Sequence, residues 1–308
     1  MLPSVSSLEE AARFFAAAHE EGRGVRIGET VTTDGLDRIL EHEAGDLTCT
    51  VEAGLRLSAL QRALAEHGQR LSLDPPGDPT VGGLLAENLS GPLRHRFGAP
   101  RDLLLGVTLV LPDGTIANAG GKVVKNVAGY DLGRLVCGSR GRLALVVRAS
   151  FRLHPLPRAA RTLLVEPDDV AGAVAALFRS HLQPSAVDVL HPGRVVLLFE
   201  GAERAVDSQL ATARRLVDGR EAGAEVWSES RELQGRASGS IRFAPGELAG
   251  VLTRLGVSEG VVRPSAGVAY VQEENACGSE PQTSDGAALR RLHEAIERAF
   301  DPRGVLAG

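Results

Sequence analysis

The chain has 308 residues, enough for two domains, and its 43% hydrophobic and 24% charged residues suit ordinary buried cores rather than disorder. A formal charge of -5 with scattered Lys and Arg, and only 4% aromatic residues, exclude a basic nucleic-acid surface and a base-stacking platform. Cys49, Cys137 and Cys277 are too far apart for a disulfide framework or a CxxC metal site, so a reducing compartment is expected. The amino terminus carries acids where a leader peptide needs a basic start, and no apolar run approaches the ~18 residues of a membrane span. A cytoplasmic protein follows, with any membrane association supplied by partners.

Residues 7–21 read as an amphipathic helix: Ser6 or Ser7 caps it, Glu9 and Glu10 occupy its first turn, and Leu8, Ala12, Phe15 and Ala16 form its stripe. A strand at 25–27 is cut off by Gly28, Leu36, Ile39 and Leu40 suggest a short element, and 47–51 alternates as a strand. A helix over 57–67 stops at Gly68, and a brief strand at 71–73 ends in the turn DPPGDP. The Gly pair of TVGGLLAENLSGP, from Thr80 to Pro92, opens a short helix. Strands at 103–111 and 143–153 follow, the second stopped by the HPLP at 154–157. Those prolines divide the chain into domains 1–157 and 158–308. In the second, strand 162–165, helix 168–180, strands 186–190 and 195–200, helix 203–216 and a strand at Val226 give the order of a ferredoxin-like α+β unit. A polar loop over 272–286, a helix over 287–300 and the tail DPRGVLAG complete the chain.

Four glycines between residues 125 and 147 are interleaved with apolar residues, a pattern that lets backbone lie against a flat or phosphorylated ligand. Thr80, Val81, Gly82 and Gly83 stand before a helical start, where their amides would converge on one point. Close helix–strand packing is the competing explanation. Asn88, Ser90 and Gly91 add donors at the far end of that helix. Asp131 could accept from a ribityl or ribose hydroxyl, or cap a helix over 132–136, and Tyr130 could stack or sit in a core. Lys125 and Asn126 could face a phosphate or a flavin carbonyl. Gly138 and Gly141 bracket a tight turn into a buried strand, which as an isolated feature is a plain hairpin entry. Gly22, Gly24 and Gly28 follow a helix, the reverse of a dinucleotide fingerprint. No metal-ligand spacing, P-loop or GxSxG is present, and Arg94, His95 and Arg96 read first as a solvated basic loop.

The order PP, TVGG, N-x-SGP, RD, PDG, VVKNVAGYDL, GS-x-G and L-x-P resembles the vanillyl-alcohol-oxidase/PCMH-type FAD-binding family, densely over residues 45–157 and more loosely in FDPRGVL at 300–306. Within that family it is most similar to the smaller flavin subunits of bacterial glycolate oxidase complexes. The resemblance implies an α+β fold: a PCMH-type FAD-binding domain of two α/β subdomains, then a ferredoxin-like cap whose tail returns to the first domain. It implies FAD as cofactor, a 2-hydroxy-acid substrate, and a larger flavin subunit and an iron–sulfur subunit as partners. By matching position, Pro76 and Thr80 to Gly83 would line pyrophosphate and flavin, and Asn88, Ser90 and Gly91 the ring side. Gly138, Gly141, Leu143 and Val146 would line the adenine or flavin edge, with Lys125, Asn126, Tyr130 and Asp131 completing the set. Arg101 and Asp102 match a position that shapes the loop.

Three departures qualify this. The RGGG-type pyrophosphate loop is mostly missing, because residues 25–30 pass almost directly to Asp34. GTLG is replaced by Gly141-Arg142-Leu143-Ala144, and the cap has no HxGDGN-like segment. A hydrogen bond to a charged group contributes about 1.5–3 kcal/mol, so two lost amides remove roughly 3–6 kcal/mol, about 2–4 decades of affinity. Two readings therefore stand: an FAD-dependent oxidoreductase subunit, or an assembly subunit that kept the fold and lost the flavin. No catalytic residue is assigned.

Overall fold

The computed structural model describes residues 2–121, 131–272 and 286–306. Helix α1 (Leu8–Glu21) begins where the Ser7 hydroxyl accepts from the Glu10 N–H at 3.1 Å, and ends at Gly22 with φ 63°. Its buried residues are Leu8, Ala11, Phe15 and Ala18, so the stripe leans toward Ala11 and Ala18 rather than Ala16. No strand forms at 25–27. The Gly28 N–H bonds to Val31 O and the Thr30 N–H to Arg26 O, folding 26–31 into a tight loop that leaves isolated bridges Ser4↔Thr32 and Ile27↔Val31. The first of the two expected α/β units is thus reduced to one helix and these bridges.

The rest of the amino-terminal half comprises β1 (Ile39–Glu43), β2 (Thr48–Glu52), α2 (Leu57–Ala65), β3 (Gln69–Arg70), α3 (Val81–Ala86), α4 (Arg94–Phe97), α5 (Pro100–Leu103), β4 (Leu104–Val110), β5 (Ile116–Gly120), α6 (Leu132–Val136), β6 (Leu145–Arg152) and β7 (His154–Pro155). Five strands form an antiparallel sheet in the order β1-β2-β6-β4-β5. The period of two assigns its faces. Val107, Leu109, Val146 and Ala149 join the α2 and α3 side, whereas Val110, Leu145 and Val147 join α1. The short pairing expected at 71–73 lies instead at β3, against β7.

Beyond it come β8 (Ala159–Val165), α7 (Val170–Phe178), β9 (Ala186–His191), β10 (Arg194–Gly201), α8 (Glu203–Leu216), β11 (Gly219–Ala222), α9 (Glu225–Arg236), β12 (Gly239–Arg242), α10 (Leu248–Leu255), β13 (Gly260–Arg263), β14 (Val268–Val271) and α11 (Gly286–Phe300). The antiparallel order β11-β8-β10-β9 is the ferredoxin-like arrangement, and β13, β14 and β12 extend it to seven strands. The strand expected at Val226 is the start of helix α9. Val226, Trp227, Ser230 and Gln234 recur at helical spacing and are buried, and the Trp227 indole donates to Thr162 Oγ1 at 2.9 Å. The fold is α+β. After α11, the Asp301 carboxylate accepts from the Val305 and Leu306 N–H groups at 2.8 and 2.6 Å. Val305 then accepts from Val25 N–H at 2.6 Å, which seats the tail in the α1 cluster. Among the described residues no helix is long and apolar enough to cross a membrane.

Candidate functional site

Helix α3 is the element around which the candidate residues gather. Thr80, in extended conformation, caps it by accepting from the Gly83 N–H at 3.1 Å. The Val81 N–H bonds to Leu55 O at 2.9 Å and the Gly82 N–H to Ala53 O at 2.6 Å. The expectation that these amides stand free toward a ligand is therefore overturned: the cap and the chain after β2 use all three. The glycines serve shape instead. A Cβ at Gly82 would press on Ala53, whereas one at Gly83 would meet only the cap hydroxyl, at 3.3 Å, and fill open space.

That space is a cleft of about 370 Å³, toward the small end of the few-hundred-Å³ range of ligand sites. Among its walls are Thr80, Gly82, Gly83 and Ala86 from α3, Thr32, Thr33 and Asp34 from the shortened first loop, and Ser139, Arg140, Gly141 and Val146 from the turn into β6. The structure thus brings Thr80, Gly82, Gly83, Gly141 and Val146 together. Arg140 is the cation among the lining residues; it pairs with Glu87 at 3.3 Å, with both side chains exposed. Small side chains and hydroxyls fit a nucleotide cofactor held by contact and hydroxyl bonds rather than by α3 amides; Asp34 and Glu87 add two carboxylates to the walls, and Glu87 is the one Arg140 pairs with. The turn is itself pinned to α3, the Gly138 N–H to Leu85 O and the Arg140 N–H to Ala86 O, both at 2.9 Å.

The remaining candidates lie elsewhere. Val81 is buried beneath α3. Gly138 and Leu143 line an adjoining depression against α11, which shares Ser139 and Arg140 with the cleft. Pro76 packs near α9, where a Cβ on Gly235 would come within 3.3 Å of it. Asn88 has φ 50°, and its buried Oδ1 has no hydrogen-bond partner among the described residues. Asp131 is not among the described residues lining the cleft; its carboxylate accepts from the Arg134 N–H at 3.0 Å and pairs with that guanidinium, as its capping role expects. Lys125, Asn126 and Tyr130 lie outside the described residues.

Ser90 and Gly91 belong to a buried polar seam between the two sheets. Ser90 O accepts from Gln234 Nε2 at 2.9 Å and from Arg263 Nη1 at 3.3 Å, while Arg263 also donates to Gln234 Oε1 at 2.8 Å. Arg263 Nε is 3.3 Å from Asp188 Oδ1, with side chains 2% and 0% exposed, and Ser230 donates to the other Asp188 oxygen. Asp74 accepts from Leu93 N–H at 3.0 Å, and burial pushes its carboxyl up to about 7. Sequence reading missed this seam. Its only local trace is a single charge within each apolar strand, AVDVLH and GVVR, a pairing that goes unnoticed without the sheet.

Residues 11–120 match the family described as FAD binding domain. That segment is an FAD-binding domain. The chain is 34% identical over 218 residues to glycolate oxidase subunit GlcE of Escherichia coli (strain K12), covering 68% of this chain and 61% of that protein. It is 32% identical over 192 residues to D-lactate dehydrogenase (cytochrome) 1, mitochondrial, of Saccharomyces cerevisiae, covering 61% of this chain and 32% of that one. Against glycolate oxidase subunit GlcD of Bacillus subtilis (strain 168) it is 32% identical over 196 residues, with 59% and 42% covered. These matches span less than two thirds of each relative. Alkyldihydroxyacetonephosphate synthase shares the fold over 98% of this FAD-binding chain and 75% of its own, at TM-score 0.74 and 15% identity. The matches give no support to a subunit that has lost its flavin.

Proposed function

We propose that the chain is the FAD-carrying subunit of an oxidase or dehydrogenase complex acting on a 2-hydroxy acid of the glycolate or lactate kind. The observation that carries this is the 34% identity to a glycolate oxidase subunit over 218 residues. The small-residue cleft beside α3 supports it. Thr80, Gly82, Gly83, Gly141 and Val146 would hold the cofactor, and the Thr32, Thr33 and Ser139 hydroxyls would bond to it. Lys125, Asn126 and Tyr130 remain in the proposed set. FAD, when bound, supplies a two-electron acceptor for the hydrogen on the hydroxyl-bearing carbon. Ser90, fixed by Arg263 and Gln234, would hold the backbone between cleft and cap in one position. The proposed domain division falls at residues 157/158. A larger flavin subunit and an iron–sulfur subunit would be the partners, with the proton-abstracting group in the larger one.

The test is an absorbance spectrum of the purified chain after incubation with FAD and gel filtration. Flavin bands near one per chain are expected. A folded, colourless protein would overturn the reading, and co-expression with both partner subunits, followed by capture of this chain, tests the complex separately.

A further inference from the structure

The HPLP segment, residues 154–157, joins the two sheets between β6 and β8. Prolines lack an N–H, so this stretch presents an apolar rim with few backbone donors. It borders a depression of about 350 Å³ whose other walls include Arg70, Arg96, Phe97 and Arg158. Glu200 is the carboxylate among the lining residues, and Arg70 holds it in a two-pronged pair at 2.8 and 2.7 Å, with side chains 14% and 8% exposed. Arg96 and Arg158 are exposed and form no ion pair among the described residues; Arg96 donates a long hydrogen bond to Ser185 Oγ, at 3.5 Å. Phe97 is ringed by cations and imidazole. The Arg70 and Arg96 guanidinium carbons lie 5.3 and 5.6 Å from its centroid, and the His154 ring lies 4.7 Å away. Arg70 Nε and His154 Nδ1 are buried without hydrogen-bond partners among the described residues.

We propose that this depression binds a small organic carboxylate with a flat apolar body, its anion on Arg96 and Arg158 and its body against Phe97 and residues 155–157. Planar guanidinium groups match a carboxylate in two-pronged geometry, and the apolar rim favours a ligand with hydrocarbon over bare phosphate. The site is separate from the α3 cleft and shares no lining residue with it. The surrounding field fits the assignment: burial, then Arg152, Arg70 and Arg96, press His154 down to about 4, so its ring is neutral at pH 7.

The probe is benzoate, titrated calorimetrically into the full chain, with inorganic phosphate as comparison. Benzoate is expected to bind and phosphate to bind more weakly. The double variant Arg96→Ala/Arg158→Ala, both sites exposed, should keep its melting temperature and weaken benzoate at least about tenfold, as expected for lost charge-assisted contacts. No benzoate binding, binding unchanged in the double variant, or preference for phosphate would each overturn the proposal. Gly83→Asp should leave benzoate binding intact, which separates this site from the flavin.

Discussion

Two glycines near α3 do different work. Gly83 has open cleft where its side chain would be, so Gly83→Asp places a carboxylate in the proposed FAD site without touching the core. Flavin absorbance after reconstitution should fall to background while the apo-protein melting temperature stays within a degree or two of the parent; equal flavin content would remove α3 from the site. Gly91 has no such room. A Cβ there would fall on the Asp74 carbonyl, which is backbone and cannot swing aside. Gly91→Ala should therefore destabilise the fold by about 1–3 kcal/mol, read from urea midpoints, as overpacking does. Sequence reading could not tell the two glycines apart, because nothing local distinguishes space facing a cleft from space filled by another stretch of backbone.

Among the elements, capping and periodicity were the legible signals. The helices at α1, α7, α8 and α11 stand within a residue or two of their expected bounds, because Ser7 and Asp169 cap locally and the apolar stripe needs only its own helix. The failures came where a neighbour decides. A strand at 25–27 needs length that the 26–31 loop consumes, and Val226 is helical because Trp227 reaches back to Thr162 on β8. Asp131 shows the ambiguity within one residue, since a carboxylate that caps α6 looks like one that reaches a ribityl chain. Asp131→Ala should cost about 0.5–2 kcal/mol, as lost caps do, with Asp131→Asn close to the parent and bound flavin unchanged in both. A loss of flavin at equal stability would return Asp131 to the site.

At the scale of the whole molecule, the buried seam joins the two sheets. Arg263→Met alone strands Asp188 without its cation and should destabilise by about 3–5 kcal/mol, whereas Arg263→Met with Asp188→Leu should recover much of that. Titration at the junction acts in two directions. His154, lowered to about 4 from an ordinary 6.5, keeps its full contribution above pH 6.5 and loses it as pH falls toward 4. Asp74, raised to about 7 from 3.8, favours the folded state as the protonated acid and loses that contribution as pH rises from 3.8 toward 7. Urea midpoints between pH 4 and 7.5 should thus lose their acid-side decline in His154→Gln and their alkaline-side decline in Asp74→Asn; unchanged profiles would sink both assignments. Helix caps, strand alternation, the glycine-rich stretches and the resemblance they carry were all written in short runs of residues. Which amides remain free, which side chains line the cleft and what holds Ser90 were not. Those depend on hydrogen bonds such as Arg263 to Ser90, 173 residues apart, and a contact between distant residues exists only once packing has brought them together.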